Sequence, residues 1–457
     1  MPVPVITIFD IGKTNKKIFL FDENYNVVYE KSELLPETVD EDGDACENVA
    51  LLNRWIIESL REVLNNKDFD IKAVNIATYG ASFVFVNGDG SVSLPLYNYL
   101  KSFPPVLKKQ FYDKFGGEKD FSIQTASPVL GNLNSGMLLY RLKNEKPKVF
   151  SKIKFALHLP QYVSFLLSGI AYSDLTSIGC HTNLWNFTEN KYHRWLAEEE
   201  IEKKLGPIIP ANHTNEIKIG KKKVHVGIGL HDSSAALIPY LMNFSEPFVL
   251  ISTGTWCISL NPFNRSPLTA DELKQDCLCY LQYNGNPVKA SRLFAGHFHD
   301  EQSERIAKHF SVDSIFYKNV KFNEVAIAQF SKQKKHDETI LDRSLFADRD
   351  LGQFKTPEHA YIQLMVDLVA QQAYSTQLVL RAGEVKSIYV DGGFCNNSLF
   401  MNFLAMQFPN KQVYAATLAQ ATALGAALAI HSSWNTQPIP KNLVQLKSYS
   451  FAKEHQL

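Results

Sequence analysis

The chain has 457 residues, 45% of them hydrophobic and 21% charged, with 47 basic and 47 acidic side chains in balance. That length exceeds one ordinary core and points to two soluble domains. The even charge gives no electrostatic ground for nucleic acid or an anionic membrane as partner. No apolar run approaches the roughly 18 to 20 residues of a spanning helix, and the N-terminus has no basic region followed by an apolar core. The expectation is a cytoplasmic protein, a monomer or homodimer, whose partner is a small molecule. Six cysteines (Cys46, Cys180, Cys257, Cys277, Cys279 and Cys395) show no C-x-x-C spacing and read as reduced thiols.

In chain order, Ile6 to Phe21 reads as a β-hairpin. One β-branched and aromatic run enters the stretch Asp10-Ile-Gly12-Lys13-Thr14-Asn15-Lys16-Lys17 and a second leaves it. A third strand is predicted around Val27 to Glu30, then an exposed acidic loop from Glu37 to Glu47. Leu51, Leu52, Trp55, Ile56, Leu60 and Leu64 recur at helical steps and make one apolar face. Ile71 to Thr78 reads as a buried strand ending in Tyr79-Gly80-Ala81-Ser82, and Phe83 to Val86 as a strand closed by Asn87-Gly-Asp-Gly90. From about 97 to 220 the pattern is helical and loop-rich, an insertion on the first sheet with helices at Leu138 to Leu142 and Tyr162 to Leu167. Val224 to Ile238 then runs a strand through a Gly-bearing turn into a helix, with His231 and Asp232 at its N-terminus.

Past Pro239 the pattern starts again. A second hairpin spans 248 to 260 around Ser252-Thr253-Gly254-Thr255-Trp256, strands follow at 277 to 283 and 287 to 291, and a long helix runs from about Glu358 to Leu380. Ser387 to Asn397 reads as a strand ending in the turn Asp391-Gly392-Gly393, and Ala419 to Ala429 as a helix of small residues. The residues from about Ser432 read as a surface tail. A repeated hairpin implies a repeated domain, 1–238 and 239–457, each with a mixed sheet and flanking helices.

Turns of Gly, Thr and small polar residues aim several N–H groups at one point, a nest suited to phosphate. Asp10, at a strand exit just before Gly12, either caps its own turn or orients a hydrated magnesium beside a phosphate. Asp232 either caps its helix or accepts the proton of a hydroxyl that attacks a γ-phosphate. Of the three lysines, Lys17 and then Lys13 are expected to reach phosphate, with Lys16 solvated on the opposite face. Arg292 and His297 are weaker candidates for the nucleotide side, and His297 with His299 lacks a third ligand for zinc. Neither a Walker-type G-x-x-x-x-G-K-[ST] nor a G-x-G-x-x-G between strand and helix is present.

Taken in order, four segments resemble the motifs of the FGGY family of carbohydrate kinases, within the actin-like, ribonuclease-H-like superfamily. Asp10-Ile-Gly12-Lys-Thr14-Asn-Lys-Lys17 resembles its first phosphate motif and Gly229-Leu-His-Asp232 its base motif. Ser252-Thr-Gly254-Thr255-Trp resembles its second phosphate motif, and Asp391-Gly-Gly393 with Gln420-Ala-Thr-Ala-Leu-Gly425 its adenosine region. The resemblance implies an α/β chain of two ribonuclease-H-like domains, each with a five-stranded mixed sheet, around a cleft that closes over ATP and sugar. It makes Asp232 the general base and Asp10 the Mg2+-orienting carboxylate. It assigns Gly12, Thr14, Lys17, Gly254 and Thr255 to phosphate, and Gly392, Gly393 and Asn397 to the nucleotide; Lys13, Asn15 and Thr253 beside them are further candidates for binding the cofactor. Gly80, Ala81, Ser82 and His231 are expected to line the sugar site. The chain departs from the pattern at Lys13, where a hydroxyl is usual, and at Gln420, where Glu is common. The motif forms look closest to the L-fuculose and L-rhamnulose kinases, with a pentulose kinase or an actin-like ATPase without sugar chemistry as alternatives.

Overall fold

A computed structural model describes residues 1–219, 222–331, 340–380, 385–418 and 420–449. The chain packs as two units. The first holds Met1–Asn243 with Cys279–Pro287 and Gln420–Leu443, and the second holds Phe244–Leu278, Val288–Ala419 and the segment from Val444. Where one division was expected at 238/239, the chain passes between the units four more times, because Cys279–Pro287 and Gln420–Leu443 return to the first unit.

The first unit is built on β1 (Val3–Ile11), β2 (Asn15–Asp22), β3 (Val27–Leu34), helix α1 (Val49–Asn65) and β4 (Phe69–Thr78), then β5 (Thr214–Ile219), β6 (Lys222–Gly227), β7 (Leu230–His231) and helix α2 (Asp232–Asn243). The sheet has seven strands rather than five, in the order β5-β6-β4-β1-β2-β3 with β7 also on β4. The additions are an antiparallel edge strand and a two-residue strand that re-enters after Gly229. β4 runs parallel to β1, β6 and β7, while β1, β2 and β3 form an antiparallel meander. Val5, Phe9 and Ile11 pack on Leu52, Trp55 and Ile56, the apolar face read from the helical spacing. The inserted region is helical, including Ser135–Glu145 and Leu159–Ser168, and has its own core around Phe111, Phe121, Tyr140 and Trp195.

In the second unit, β8 (Phe248–Thr253) and β9 (Cys257–Asn261) form the repeated hairpin, followed by β10 (Cys277–Leu281) and β11 (Pro287–Leu293), between which Cys279–Pro287 groups with the first unit, and then by helix α3 (Pro357–Leu380), β12 (Ser387–Gly392), helix α4 (Ser398–Gln407) and β13 (Gln412–Thr417). This sheet also has seven strands, with β11-β9-β8-β12-β13 at its middle. Helix α3 is buried on most sides, as an apolar helix without a polar face must be. Helix α5 (Ala421–Ala429) belongs to the first unit. A Cβ on its Gly425 would lie 1.8 Å from Ala235 O, so only glycine lets α5 cross α2 backbone to backbone. The expected tail instead supplies β14 (Gln445–Ser448), antiparallel on β13, and Asn435, which donates to Glu23 O. Among the described residues no helix is long and apolar enough to cross a membrane.

Candidate active site

The carboxyl ends of three parallel strands lie side by side. Asp10 and Ile11 of β1 face Ala77 and Thr78 of β4, which on their other side face Leu230 and His231 of β7. Such strand ends are where open α/β sheets place ligands. Gly229 makes this possible. Its φ is +83°, and a Cβ there would meet Pro160 O at 2.6 Å. The chain thereby turns out of β6 and re-enters beside β4, with Asp232 as the first residue of α2.

Asp10 and Asp232 sense each other. The Asp10 carboxyl is pushed up from 3.8 to about 7, first by burial and then by the charge of Asp232, with Lys17 opposing. A buried carboxyl beside a second, partly exposed carboxylate is repelled by it when ionised, and a divalent cation is the group that relieves this. The pair therefore fits Mg2+. Asp232 Oδ1 accepts from its neighbour Ser233, N–H at 2.6 Å and Oγ at 3.2 Å, and its side chain stays partly open at 32% exposure. A helix cap would instead accept from an N–H two or three residues on.

His231 is buried beside it. Nε2 lies 3.1 Å from Cys180 Sγ and 3.1 Å from Asp232 Oδ1, the ring stacks on Tyr280, and the backbone N–H donates to Thr176 Oγ1. Burial lowers its pKa against the pull of Asp232, which holds the imidazole neutral at pH 7. Gly80 abuts this group. A Cβ there would come within 2.9 Å of both Cys180 Sγ and the His231 ring. Ala81 follows in the left-handed region at φ +58°, and Ser82 is buried with its carbonyl accepting from Leu159 N. The sugar candidates Gly80, Ala81, Ser82 and His231 are thus gathered at one place with Asp232 and Asp10. Cys180 and Tyr280 were missed in the sequence, where a lone Cys and a strand Tyr carry no signal.

In the first hairpin Gly12 N–H donates to Asn15 O at 2.9 Å, closing the turn, and Thr14 and Asn15 are exposed at its tip. Lys13 pairs with Glu37 at 2.5 Å and Lys17 with Glu30 at 3.4 Å. Lys16 corrects the expectation. Its side chain is 1% exposed and paired with Glu47 at 2.8 Å, and Lys13 approaches the same carboxylate at 4.0 Å instead of lying on the opposite face. Nor is the acidic stretch simply an exposed loop. Asp40 is buried on Lys101, and Glu47 is buried between Lys16 and Tyr79.

Within the second unit, Gly254, Thr255, Gly393 and Asn397 line one cavity of 450 Å³. Tyr317, Lys318 and Lys321, from a segment without motif character, line it too. The Thr253 hydroxyl donates to Asp391 O and accepts from Phe394 N, tying the hairpin to the glycine turn. Gly392 sits at φ +87°, where a Cβ would lie 1.9 Å from Thr253 O. The Asn397 side chain is also engaged, capping α4 through Leu399 N and Phe400 N and donating to Tyr361 OH. His299 is buried against Tyr361 and Asp300, whereas His297 stacks on Phe294. Arg292 is held by Asp276 through two bonds of 2.6 and 2.8 Å.

Comparison with known proteins places this geometry. Residues 5–238 match the FGGY family of carbohydrate kinases, N-terminal domain, and residues 245–438 match carbohydrate kinase FGGY, C-terminal domain. A rhamnulokinase of Mannheimia succiniciproducens is 22% identical over 270 residues, covering 56% of this chain and 54% of the relative, so about half of that relative's length is matched. A carbohydrate kinase from Novosphingobium aromaticivorans has a similar fold, with TM-score 0.78 at 20% identity over 98% of this chain and 95% of that one. Ligand-bound xylulose kinase from Lactobacillus acidophilus gives TM-score 0.79 at 16% identity, over 99% and 94%. With the two domain matches in family order along most of its length, the chain belongs to the FGGY family of carbohydrate kinases.

Proposed function

We propose that the protein phosphorylates a ketose of the L-rhamnulose or L-fuculose type at a terminal hydroxyl, with ATP as donor. The observation that carries this reading is the pair of coupled carboxylates, Asp10 and Asp232, beside Gly80, Ser82 and His231 at adjoining strand ends. In the proposed reaction the sugar hydroxyl hydrogen-bonds to the open carboxylate of Asp232, which holds its oxygen in line and takes its proton as the bond to γ-phosphorus forms and that to the ADP oxygen breaks. A loose transition state asks little more of a base than this. Neutral His231, stacked on Tyr280 and within 3.1 Å of Asp232, keeps that carboxylate from swinging away without adding charge. Asp10, with Lys17 opposing its repulsion from Asp232, would hold hydrated Mg2+. When bound, the ion supplies charge neutralisation at the phosphate oxygens.

The rhamnulokinase relative supports a deoxyketose, and the fold shared with a xylulose kinase keeps a pentulose as the second reading. One methyl or hydroxyl changes binding by only about 1 to 3 kcal/mol, so both types belong in the test. Coupled ADP release with Mg-ATP across ketoses, aldoses and polyols, each against a no-sugar control, is that test. Strong stimulation by a ketose supports the reading. Steady hydrolysis indifferent to every sugar replaces it with an actin-like ATPase.

A further inference from the structure

We propose that Lys16 is a positioning residue, which with Glu47 fixes the backbone of the first hairpin turn so that two amide N–H groups stand ready for phosphate. The proposal rests on the phosphate reading of that turn. Lys16 Nζ lies 3.2 Å from Gly12 O, 3.0 Å from Lys13 O and 2.8 Å from Glu47 Oε1, and its side chain is 1% exposed. An ammonium has three donors, and these three acceptors match them in number.

The consequence follows from peptide geometry. In a planar trans peptide the C=O of one residue and the N–H of the next point in opposite directions. Holding Gly12 O and Lys13 O toward Lys16 therefore turns the N–H groups of Lys13 and Thr14 away from it. Neither donates to an acceptor among the described residues. Consecutive amides aimed the same way make an anion nest.

The brace is anchored from behind. Glu47, with 3% of its side chain exposed, uses Oε2 to accept from Tyr79 OH at 3.1 Å, and Tyr79 N–H donates to Ile11 O at 3.0 Å. The chain runs on from Tyr79 directly into Gly80, Ala81 and Ser82. One carboxylate thus braces both the phosphate turn and the start of the sugar segment. A buried ion pair adds little net stability over an apolar pair of the same volume, so a role in geometry accounts better for its presence here.

The test separates folding from positioning. Lys16→Met leaves buried Glu47 with only Lys13, 4.0 Å from its Oε2, as a cationic partner, whereas Lys16→Met with Glu47→Gln removes both charges of the brace together. Urea unfolding should show the single variant strongly destabilised and the double variant largely recovered. Calorimetric affinity of the double variant for Mg-AMP-PNP should nevertheless stay at least about tenfold below wild type, the loss expected for mispositioned charge-assisted bonds, while adenosine affinity is unchanged. A double variant that binds AMP-PNP as tightly as wild type overturns the proposal. In the unaltered protein, hydrogen exchange at the Lys13 and Thr14 amides should slow when AMP-PNP binds but not when adenosine binds. Unchanged exchange at both amides overturns the proposal without any variant. Wild-type protein that binds AMP-PNP no better than adenosine would instead refute the phosphate reading itself.

Discussion

Asp10→Asn should make the ligand-free protein more stable at pH 8 while abolishing turnover. The Asp10 carboxyl is pushed from 3.8 to about 7 in the fold, chiefly by burial and next by Asp232. A folded-state value above the unfolded one means that the fold favours the protonated acid. The stability this contributes is full below about pH 4, falls as pH rises, and is gone above about pH 7. The slope is about 1.4 kcal/mol per pH unit over some three units, or about 4 kcal/mol in all. Asparagine imitates the neutral acid and has no such slope. Urea unfolding of wild type and Asp10→Asn at pH 5 and pH 8, without nucleotide or metal, reads the double difference. Other titrating groups common to both proteins cancel from it. The variant should gain about 2 to 4 kcal/mol over wild type on going from pH 5 to pH 8. A difference within 0.5 kcal/mol, by this order-of-magnitude reasoning, would show that Asp10 is not desolvated beside Asp232 and would remove the basis for a cation there.

Two glycines carry further expectations. Gly80→Ala would place a methyl 2.9 Å from both Cys180 Sγ and the His231 ring, so the KM for sugar should rise about tenfold or more at saturating ATP, with ATP affinity unchanged in direct binding. Gly392→Ala meets both a left-handed φ of +87° and a Thr253 carbonyl 1.9 Å from the new Cβ. It should destabilise the second unit by about 3 kcal/mol or more, read as a lowered thermal midpoint, and unchanged melting would contradict the close approach of β8 and β12.

Elements with strong periodicity were legible in the sequence. Both hairpins, the apolar face of α1 and the long α3 lie where alternation or helical spacing put them. The phosphate and base segments also lie at strand ends, because turn chemistry of Gly, Thr and Asp is local and can be read locally. What could not be read was long-range. Nothing near Lys16 announces that Glu47, 31 positions on, will bury it, so an alternation argument sent its charge to solvent. Cys180 meets His231 across 51 positions, and Tyr280 joins them from a segment after the second hairpin. The strand count was underestimated for a related reason. β7 is two residues long and β14 lies in a stretch of Pro and charge, both below what pattern alone detects. Gln420–Leu443 lies in the chain between β13 and β14 of the second sheet but packs with the first unit, since α5 is narrow enough to lie against α2.

The central claim is that Asp232 takes the proton of a sugar hydroxyl during phosphoryl transfer, and Asp232→Asn tests it most directly. Single-turnover ADP formation should be measured for wild type and variant with the ketose that most stimulates the wild type, alongside calorimetric ATP affinity. The account predicts a rate lowered by about two to four orders of magnitude, with ATP affinity within about threefold of wild type. A variant that turns over the sugar at more than about a tenth of the wild-type rate, or one that loses ATP binding in the same proportion as rate, would contradict it.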